Sequence, residues 1–202
     1  MQFHGTAAVY ATSSSLPTFK SPPTPTTRLR RPASRQVLSM VSQSPNPNPK
    51  FSFSDDVLAS RGFNLHRSAT GLDLDHLNSI FVAVGFPRRD PEKIRVALDH
   101  TPSLLWIEHT KTQKPVAFAR ATGDGVFNAI IWDVVVDPSY QGIGLGKVIM
   151  ERLVAELLQK GITNIALYSE PKVLGFYRPL GFATDPDGIR GMVYSRKQKK
   201  KN

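Results

Sequence analysis

The sequence predicts a mixed α/β domain built around one sheet. Segments with apolar residues at helical spacing alternate with short β-branched segments from about residue 63 onward. One predicted strand also runs into a glycine-rich turn that opens a strongly amphipathic helix at residues 145–160. The chain of 202 residues has room for one domain with tails, and it contains no internal repeat.

Apolar spacing and capping residues predict four helices. They cover residues 72–84, 91 to about 100, 145–160 and 173–180. Asp90 followed by Pro91 forms an N-cap and first-turn pair that starts the second helix. Gly161 follows the third helix at the position where a C-terminal cap belongs.

Six short segments that are rich in apolar and β-branched residues predict strands. They cover residues 63–67, 104–108, 116–121, 129–136, 165–168 and 191–195. Turns at residues 111–114 and 123–125 separate the second, third and fourth strands. The order of elements therefore predicts one sheet with helices packed against it.

Residues 1–50 differ in composition from the rest of the chain. They are rich in Ser, Thr, Pro and Arg, and the first acidic residue is Asp55. This composition favours a plastid transit peptide over a mitochondrial one, because prolines interrupt an amphipathic helix. The alternative is an ordinary disordered tail. We expect a leader and disordered lead-in at 1–50, a folded domain at 51–195 and a basic tail at 196–202.

The net charge of +10 comes from the two ends of the chain. The leader carries basic residues only, and the tail after residue 195 is mostly lysine, so the middle is close to neutral. This distribution disfavours nucleic acid as a partner. The sequence contains no apolar run of 18 residues, so it predicts no membrane-spanning helix. The chain has no cysteine and its histidines lack metal-ligand spacing, so no metal is expected.

The glycine-rich turn at residues 141–147 has the sequence QGIGLGK. A turn of this kind at the start of a helix exposes backbone N–H groups to an anion, typically phosphate. A Walker A loop is excluded, because three residues rather than four separate Gly142 from Gly146, and Val148 follows Lys147. A dinucleotide fingerprint that begins at Gly142 would need glycine where Lys147 stands.

A third pattern fits, with Gln141, Gly144 and Gly146 in the arrangement Gln/Arg-x-x-Gly-x-Gly/Ala. It resembles the pyrophosphate loop of the GNAT superfamily of N-acetyltransferases. The segment FYRPLGF at residues 176–182 is similar to a second motif of that superfamily, and its spacing from the loop also fits. Residues 85–89 and 185–192 further resemble a plastid branch that includes serotonin N-acetyltransferases and protein N-terminal and lysine acetyltransferases.

The resemblance implies a GNAT-like mixed, mostly antiparallel central sheet flanked by about four helices. It also implies acetyl-CoA as co-substrate, with the pyrophosphate on the glycine-rich loop and the pantetheine and thioester along the preceding strand. The residues expected to bind acetyl-CoA are Val134, Val135, Val136, Gln141, Gly142, Ile143, Gly144, Leu145, Gly146, Lys147 and Tyr177. For the three valines, core packing by the side chains is compatible with binding by the backbone. Lys147 is alternatively a solvated surface lysine.

Direct attack of an amine on a thioester needs a proton donor for the departing thiolate and an acceptor for the amine proton. Tyr177 is the candidate general acid, since a phenol titrates near pH 10. Asp133 or Glu170 is the candidate base, and Asn164 is a candidate for orienting a water molecule. A structural hydrogen bond is the alternative role for each of these three residues.

The sequence therefore predicts an enzyme that acetylates protein N-terminal α-amines and lysine ε-amines in the chloroplast stroma. One alternative acceptor is an arylalkylamine such as serotonin. Another alternative is a catalytically weak regulator that binds acetyl-CoA, although an intact Tyr177 counts against it. Arg88 and Arg89 fall in the loop that borders the acceptor site in the family, where they would bind a carboxylate of a peptide or remain surface arginines.

Overall fold

The computed structural model describes residues 51–184, and this part of the chain contains both helices and strands. The helices are Asp55–Ser60 (α1), Leu74–Ala83 (α2), Pro91–Asp99 (α3), Leu145–Gln159 (α4) and Leu174–Tyr177 (α5). The strands are Phe63–His66 (β1), Ser103–His109 (β2), Lys114–Gly123 (β3), Asn128–Val136 (β4) and Asn164–Leu167 (β5). The leader at 1–50, the strand expected at 191–195 and the tail at 196–202 lie outside the described residues.

The five strands form one sheet in the order β1-β2-β3-β4-β5. Neighbours are antiparallel except β4 and β5, which are parallel. Helix α4 supplies the crossover that a parallel pair requires. The mixed, mostly antiparallel sheet implied by the resemblance is therefore confirmed.

Local capping explains several helix boundaries. The predicted cap at Asp90 is confirmed, because its carboxylate accepts the N–H of Glu92 at 2.9 Å. Asp73 caps α2 in the same way, so this helix begins at Leu74 and not at residue 72 as predicted. Gly161 follows α4 with a φ of 81°, a conformation that suits glycine.

Two elements differ from the prediction. Helix α1 was not predicted; the side chain of Ser54 caps it by accepting the N–H of Val57. The helix predicted over 173–180 is instead the four-residue α5 between two 3-10 turns, Pro171–Val173 and Arg178–Leu180. Pro179 has no N–H to donate, which prevents a continuous α-helix through this segment.

The two faces of the sheet are covered differently. Helix α4 packs on one face, against a row of small side chains from β3 that includes Ala117, Ala119 and Ala121. Helices α2 and α3 pack on the other face, against larger side chains such as Trp106 and Phe118. These faces are called the α4 face and the α2/α3 face below. Small side chains let a long helix approach the sheet closely.

A bulge in β4 reverses the direction of its side chains. Ala129 and Ile131 belong to the core on the α4 face, but Val135 belongs to the core on the α2/α3 face. Residues four apart share a face in a regular strand, so one extra residue is present between them. The register with β3 shifts at this point, and Asp133 has a φ of 54°. The bulge turns Asp133 toward the α2/α3 face.

Strand β4 also parts from β5 halfway along its length. The last residue pair between them is Ile131 with Leu167, whereas β4 continues to Val136. Within the described part of the chain, residues 132–136 therefore have a strand neighbour on the β3 side only. Among the described residues, the β4 edge from Trp132 to Val136 therefore carries backbone groups without a strand partner on this side, and the space beside it is called the opening between β4 and β5 below.

Candidate functional site

The glycine-rich loop connects the end of β4 to the start of α4. Gly142 and Gly144 both have positive φ values, 79° and 94°, which glycine adopts without strain. Gly144 is the N-cap residue of α4 and no side chain caps this helix. The N–H groups of the first turn of α4 are therefore left for another acceptor, at the positive end of the helix dipole. The loop is suited to an anion such as a pyrophosphate.

A close approach at Gly146 brings three parts of the site together. A Cβ atom added at this residue would lie 3.3 Å from Cγ2 of Val136 and 3.4 Å from Cζ of Phe176. The start of α4 thus contacts both the end of β4 and helix α5. Any side chain at this position would occupy space between these elements, which explains the need for glycine.

Other residues predicted to bind acetyl-CoA lie at the end of β4 and in the loop and helix start that follow it. Val134 and Val136 pack toward the α4 face and Val135 is buried on the α2/α3 face, so their side chains serve the core. The side-chain amide of Gln141 donates to the carbonyl of Val136 at 3.0 Å, which ties the loop to β4. Lys147 is half exposed and lies 3.8 Å from Glu151. The structure therefore brings together the segments that the sequence singled out.

Tyr177 lies at the end of α5, beside this edge. Its half-buried ring packs edge-on against Phe176 and Phe182, with centroid distances of 4.9 and 6.1 Å. Burial raises the pKa of the Tyr177 phenol above its ordinary value. A phenol with a raised pKa stays protonated at neutral pH, which is the form required of a proton donor.

Asp133 is held by two arginines on the α2/α3 face. Arg89 donates both terminal nitrogens to its carboxylate, at 3.0 and 2.8 Å, and Nε of Arg120 donates at 2.7 Å. Burial alone would raise the pKa of Asp133, but the hydrogen bonds from the two arginines outweigh it and hold this pKa below its usual value. An ion-paired carboxylate of low pKa is a weak proton acceptor. The geometry thus favours a structural role for Asp133 over the role of base.

Asn164, the candidate for orienting a water molecule, and Glu170, the other candidate base, lie at different ends of β5. Asn164 is at the start of β5, where its side chain contacts Asn128 at the closed end of the β4–β5 pair. Three residues of extended strand separate it from the opening, roughly 10 Å. The structure therefore does not bring Asn164 to the site. Glu170 follows β5 and is exposed, with Lys172 at 2.7 Å.

A cavity of about 350 Å³ opens on the α2/α3 face, with Asp133 in its wall. Its apolar part comes from α2, α3 and β3, and its polar part from charged side chains. The polar lining residues are Arg88, Arg89, Asp90, Lys93, Arg120 and Asp133. Asp133 lines the cavity and also belongs to the unpaired edge of β4, so the cavity and the opening between β4 and β5 both border the bulge.

Two residues of this cavity region were missed by the sequence analysis. Asn78 is fully buried in α2, and its side-chain amide bonds both the N–H and the carbonyl of Arg89, at 3.0 and 2.6 Å. Arg120 interrupts the apolar residues 115–121 of β3. This interruption was a signal for Arg120, whereas Asn78 lies among other polar residues of α2 and had no comparable signal.

Residues 51–184 contain no cluster of three or more side chains that could hold a metal ion. No helix in this part of the chain is long and apolar enough to cross a membrane.

A helix start suited to pyrophosphate, beside a strand edge with free backbone groups, fits an enzyme that uses a CoA thioester. Comparison with known proteins agrees: the model of the acetyltransferase (GNAT) family matches residues 74–182. The chain belongs to this family and is an acetyl-CoA-dependent N-acetyltransferase.

Individual relatives support this assignment. The chain is 71% identical to GCN5-related N-acetyltransferase 1, chloroplastic, of Arabidopsis thaliana, over 76% of this chain and 78% of the relative. It is 60% identical to Serotonin N-acetyltransferase 2, chloroplastic, of Oryza sativa subsp. japonica, over 70% and 72% of the two chains. A solved GNAT family acetyltransferase from Streptococcus pneumoniae is 25% identical, with a TM-score of 0.54 over 67% of this chain and 99% of the other.

Proposed function

We propose that this enzyme acetylates protein N-terminal α-amines and lysine ε-amines in the chloroplast stroma. The composition of residues 1–50 supports a plastid location, and so do the two relatives from Arabidopsis and rice, both named chloroplastic. Another relative, from Glycine max, is named a histone acetyltransferase and is 43% identical over 63% of this chain, which supports a protein amine as acceptor.

On the acetyl-CoA side, backbone N–H groups of residues 141–147 hold the pyrophosphate. The free edge of β4 at residues 134–136 pairs with pantetheine, and one of its N–H groups polarises the thioester carbonyl. The positive end of α4 and the positive φ values of Gly142 and Gly144 support this assignment. The side chain of Lys147 adds positive charge at the mouth of the loop.

In the transfer step, the amine nitrogen forms a bond to the acetyl carbon while the bond from that carbon to sulfur breaks. Tyr177 donates its phenolic proton to the departing sulfur, and its packing on Phe176, which reaches the start of α4 at Gly146, supports this role. The amine proton leaves to solvent by way of Glu170. This carboxylate and its partner Lys172 are both exposed after the end of β5, whereas Asp133 is buried between Arg89 and Arg120.

The cavity on the α2/α3 face is the observation that carries the choice of acceptor. Its charged lining and its position next to the bulge suit a peptide amine with polar neighbours. Serotonin is the second candidate acceptor, because a 60% identical relative carries that activity in its name and the cavity also contains the apolar rings of Phe81 and Phe118.

The test follows CoA release by protein that begins near residue 50, with acetyl-CoA and one acceptor at a time. The acceptors are a peptide with a free N-terminus, an N-terminally blocked peptide with one lysine, and serotonin. We expect turnover of both peptides. Tyr177→Phe should lower kcat about 100-fold while the Kd for acetyl-CoA stays within a factor of two, because only the proton donor is removed.

Tyr140→Phe is the matched control, because it removes a phenol hydroxyl that contacts His109 instead of the opening between β4 and β5. Its kcat should equal that of the unaltered protein. Turnover of serotonin alone would replace the proposed acceptors with an arylalkylamine. Tight acetyl-CoA binding without turnover of any acceptor would indicate a regulator in place of an enzyme.

A further inference from the structure

We propose that the cavity on the α2/α3 face selects acceptors that carry an acidic residue next to the amine. This inference rests on the proposed function, because it assigns a substrate class to the same site. Its basis is the balance of charge in the cavity wall: four lining side chains are cationic and two are anionic.

The inner charges are already paired. Asp133 lies between Arg89 and Arg120 and its side chain is only 8% exposed, so this trio forms a unit with a buried carboxylate and one net positive charge. The second anion, Asp90, is engaged at the start of α3, where it accepts the N–H of Glu92. With Asp90 counted as a full negative charge, the four cations and two anions still leave the cavity wall with a net charge of +2.

The outer charges are not paired in this way. Arg88 lies in the loop between α2 and α3, and Lys93 lies in the first turn of α3. Both side chains are exposed at the cavity, and within residues 51–184 neither has an ion-pair partner. Two cations that line one cavity and have no ion-pair partner among the described residues favour the binding of an external carboxylate.

The loop that presents Arg88 is held in place. Buried Asn78 fixes the backbone of Arg89 through two hydrogen bonds, and the Arg89 guanidinium stacks 4.7 Å from the ring centre of Phe81. Arg88 is the direct neighbour of this anchored residue. A prearranged loop loses little conformational freedom on binding, which strengthens its preference for a charged ligand.

The same charge balance disfavours amines without an acid. A peptide with a glutamate beside its amine brings a negative charge that compensates the positive charge of the cavity. A peptide with a lysine in that place, or a simple arylalkylamine, adds only positive charge. Exposed ion pairs contribute little individually, so we expect two of them to give about a fivefold preference and not an absolute one.

The experiment compares short peptides that are identical except for Glu, Gln or Lys at the second position. The protein begins near residue 50, as in the test above, and acetyl-CoA is saturating. The kcat/KM should fall about fivefold from the Glu peptide to the Gln peptide, and further for the Lys peptide. The difference should reside in KM, and it should shrink when the ionic strength is raised, because salt screens exposed charges.

Three variants test the assignment to these cations. In the double variant Arg88→Gln with Lys93→Gln, the ratio of kcat/KM for the Glu and Gln peptides should fall toward one. Lys93→Glu should shift the preference toward the Lys peptide. Arg95→Gln is the matched control, because Arg95 is an exposed cation of α3 that pairs with Glu92 and Asp99 and does not line the cavity. It should keep the fivefold ratio.

The outcomes separate this inference from the proposed function. Equal kcat/KM for the three peptides would overturn the acidic preference while the acetylation of peptides stands. A preference that persists in the Arg88 and Lys93 double variant would also overturn it. Absence of turnover with every peptide would reject the proposed function, and the acidic preference with it.

Discussion

The two sides of the β4 bulge are built in different ways. On the side proposed to bind acetyl-CoA, called the acetyl-CoA side below, the loop and the start of α4 offer mainly backbone groups, and the glycines leave room for them. On the side proposed to bind the acceptor, called the acceptor side below, the cavity wall consists of side chains from α2, α3, β3 and β4, three of which are joined by ion pairs. A backbone site suits one invariant co-substrate, whereas a side-chain site allows the acceptor to differ between related enzymes.

The two sides should also differ in their sensitivity to amino-acid substitution. The anion-binding side depends on dihedral angles and close contacts, which are local. The acceptor side depends on a buried charge balance, which fails when one member is removed. Changes on one side should therefore alter the binding of one substrate and leave that of the other nearly unchanged.

The largest effect is expected at Asp133. Asp133→Asn keeps the shape and tolerates the positive φ, but it leaves Arg89 and Arg120 without a counter-charge. We expect a loss of about 2 kcal/mol in the free energy of unfolding, below the value for fully buried pairs because Arg89 is 36% exposed. Urea unfolding measures it, and the KM for the acceptor should rise while the Kd for acetyl-CoA stays constant.

Asp99→Asn is the control for this change. It removes a carboxylate from an exposed pair with Arg95 and should cost less than about 0.5 kcal/mol. If the two variants were equally stable, the buried trio would contribute nothing, and the contrast between the two sides of the bulge would be lost.

The second effect is a pH dependence of the stability that the Asp133 carboxylate contributes. The pKa of Asp133 is lower in the folded protein than in the unfolded chain, where it is about 3.9. Its contribution to stability is therefore complete above that value and is lost as the pH falls through the folded pKa. The stability gap between the unaltered protein and Asp133→Asn, measured by urea unfolding, should narrow below about pH 4. A gap that stayed constant down to pH 2 would contradict this prediction.

The smallest of the three effects is expected on the acetyl-CoA side. In Gly146→Ala the added methyl group meets Val136 and Phe176 at 3.3 and 3.4 Å, so these neighbours must shift by a few tenths of an ångström. We expect the Kd for acetyl-CoA to rise about fivefold, near 1 kcal/mol, without loss of stability, because alanine favours the helix. Calorimetric titration measures the Kd.

Gly175→Ala provides the matched comparison, since it is another helical glycine and its added Cβ contacts nothing within 4 Å. Its Kd for acetyl-CoA should not change. An unchanged Kd in Gly146→Ala as well would show that the close approach of α4, β4 and α5 has no part in binding.

The acetyl-CoA side was largely predictable from the sequence. Gln141, Gly144 and Gly146 lie within one short segment, and the structure places them at the helix start that their spacing indicated. The strands and helices before and after the loop were also predicted in order, with the short α1 and the division of residues 173–180 as the main errors. Both errors involve elements of six residues or fewer, where periodicity gives little information.

The acceptor side was predictable only in part. Arg88 and Arg89 were expected beside the acceptor, but nothing in the sequence linked Arg89 with Asp133, which follows it by 44 positions. Asp133 was a candidate base because sequence alone does not show that two arginines occupy its carboxylate. It also made Asn164 a candidate, although the β4–β5 register places this residue at the closed end of the pair.

The sequence by itself determined the order of most elements, the glycine-rich loop and the family, because these depend on residues that are neighbours in the chain. Tertiary structure alone decided the bulge, the parting of β4 from β5 and the charge balance of the cavity. A bulge turns a side chain to the opposite face only relative to a paired strand, and an ion pair forms only between residues that packing has brought together. These features therefore required the fold.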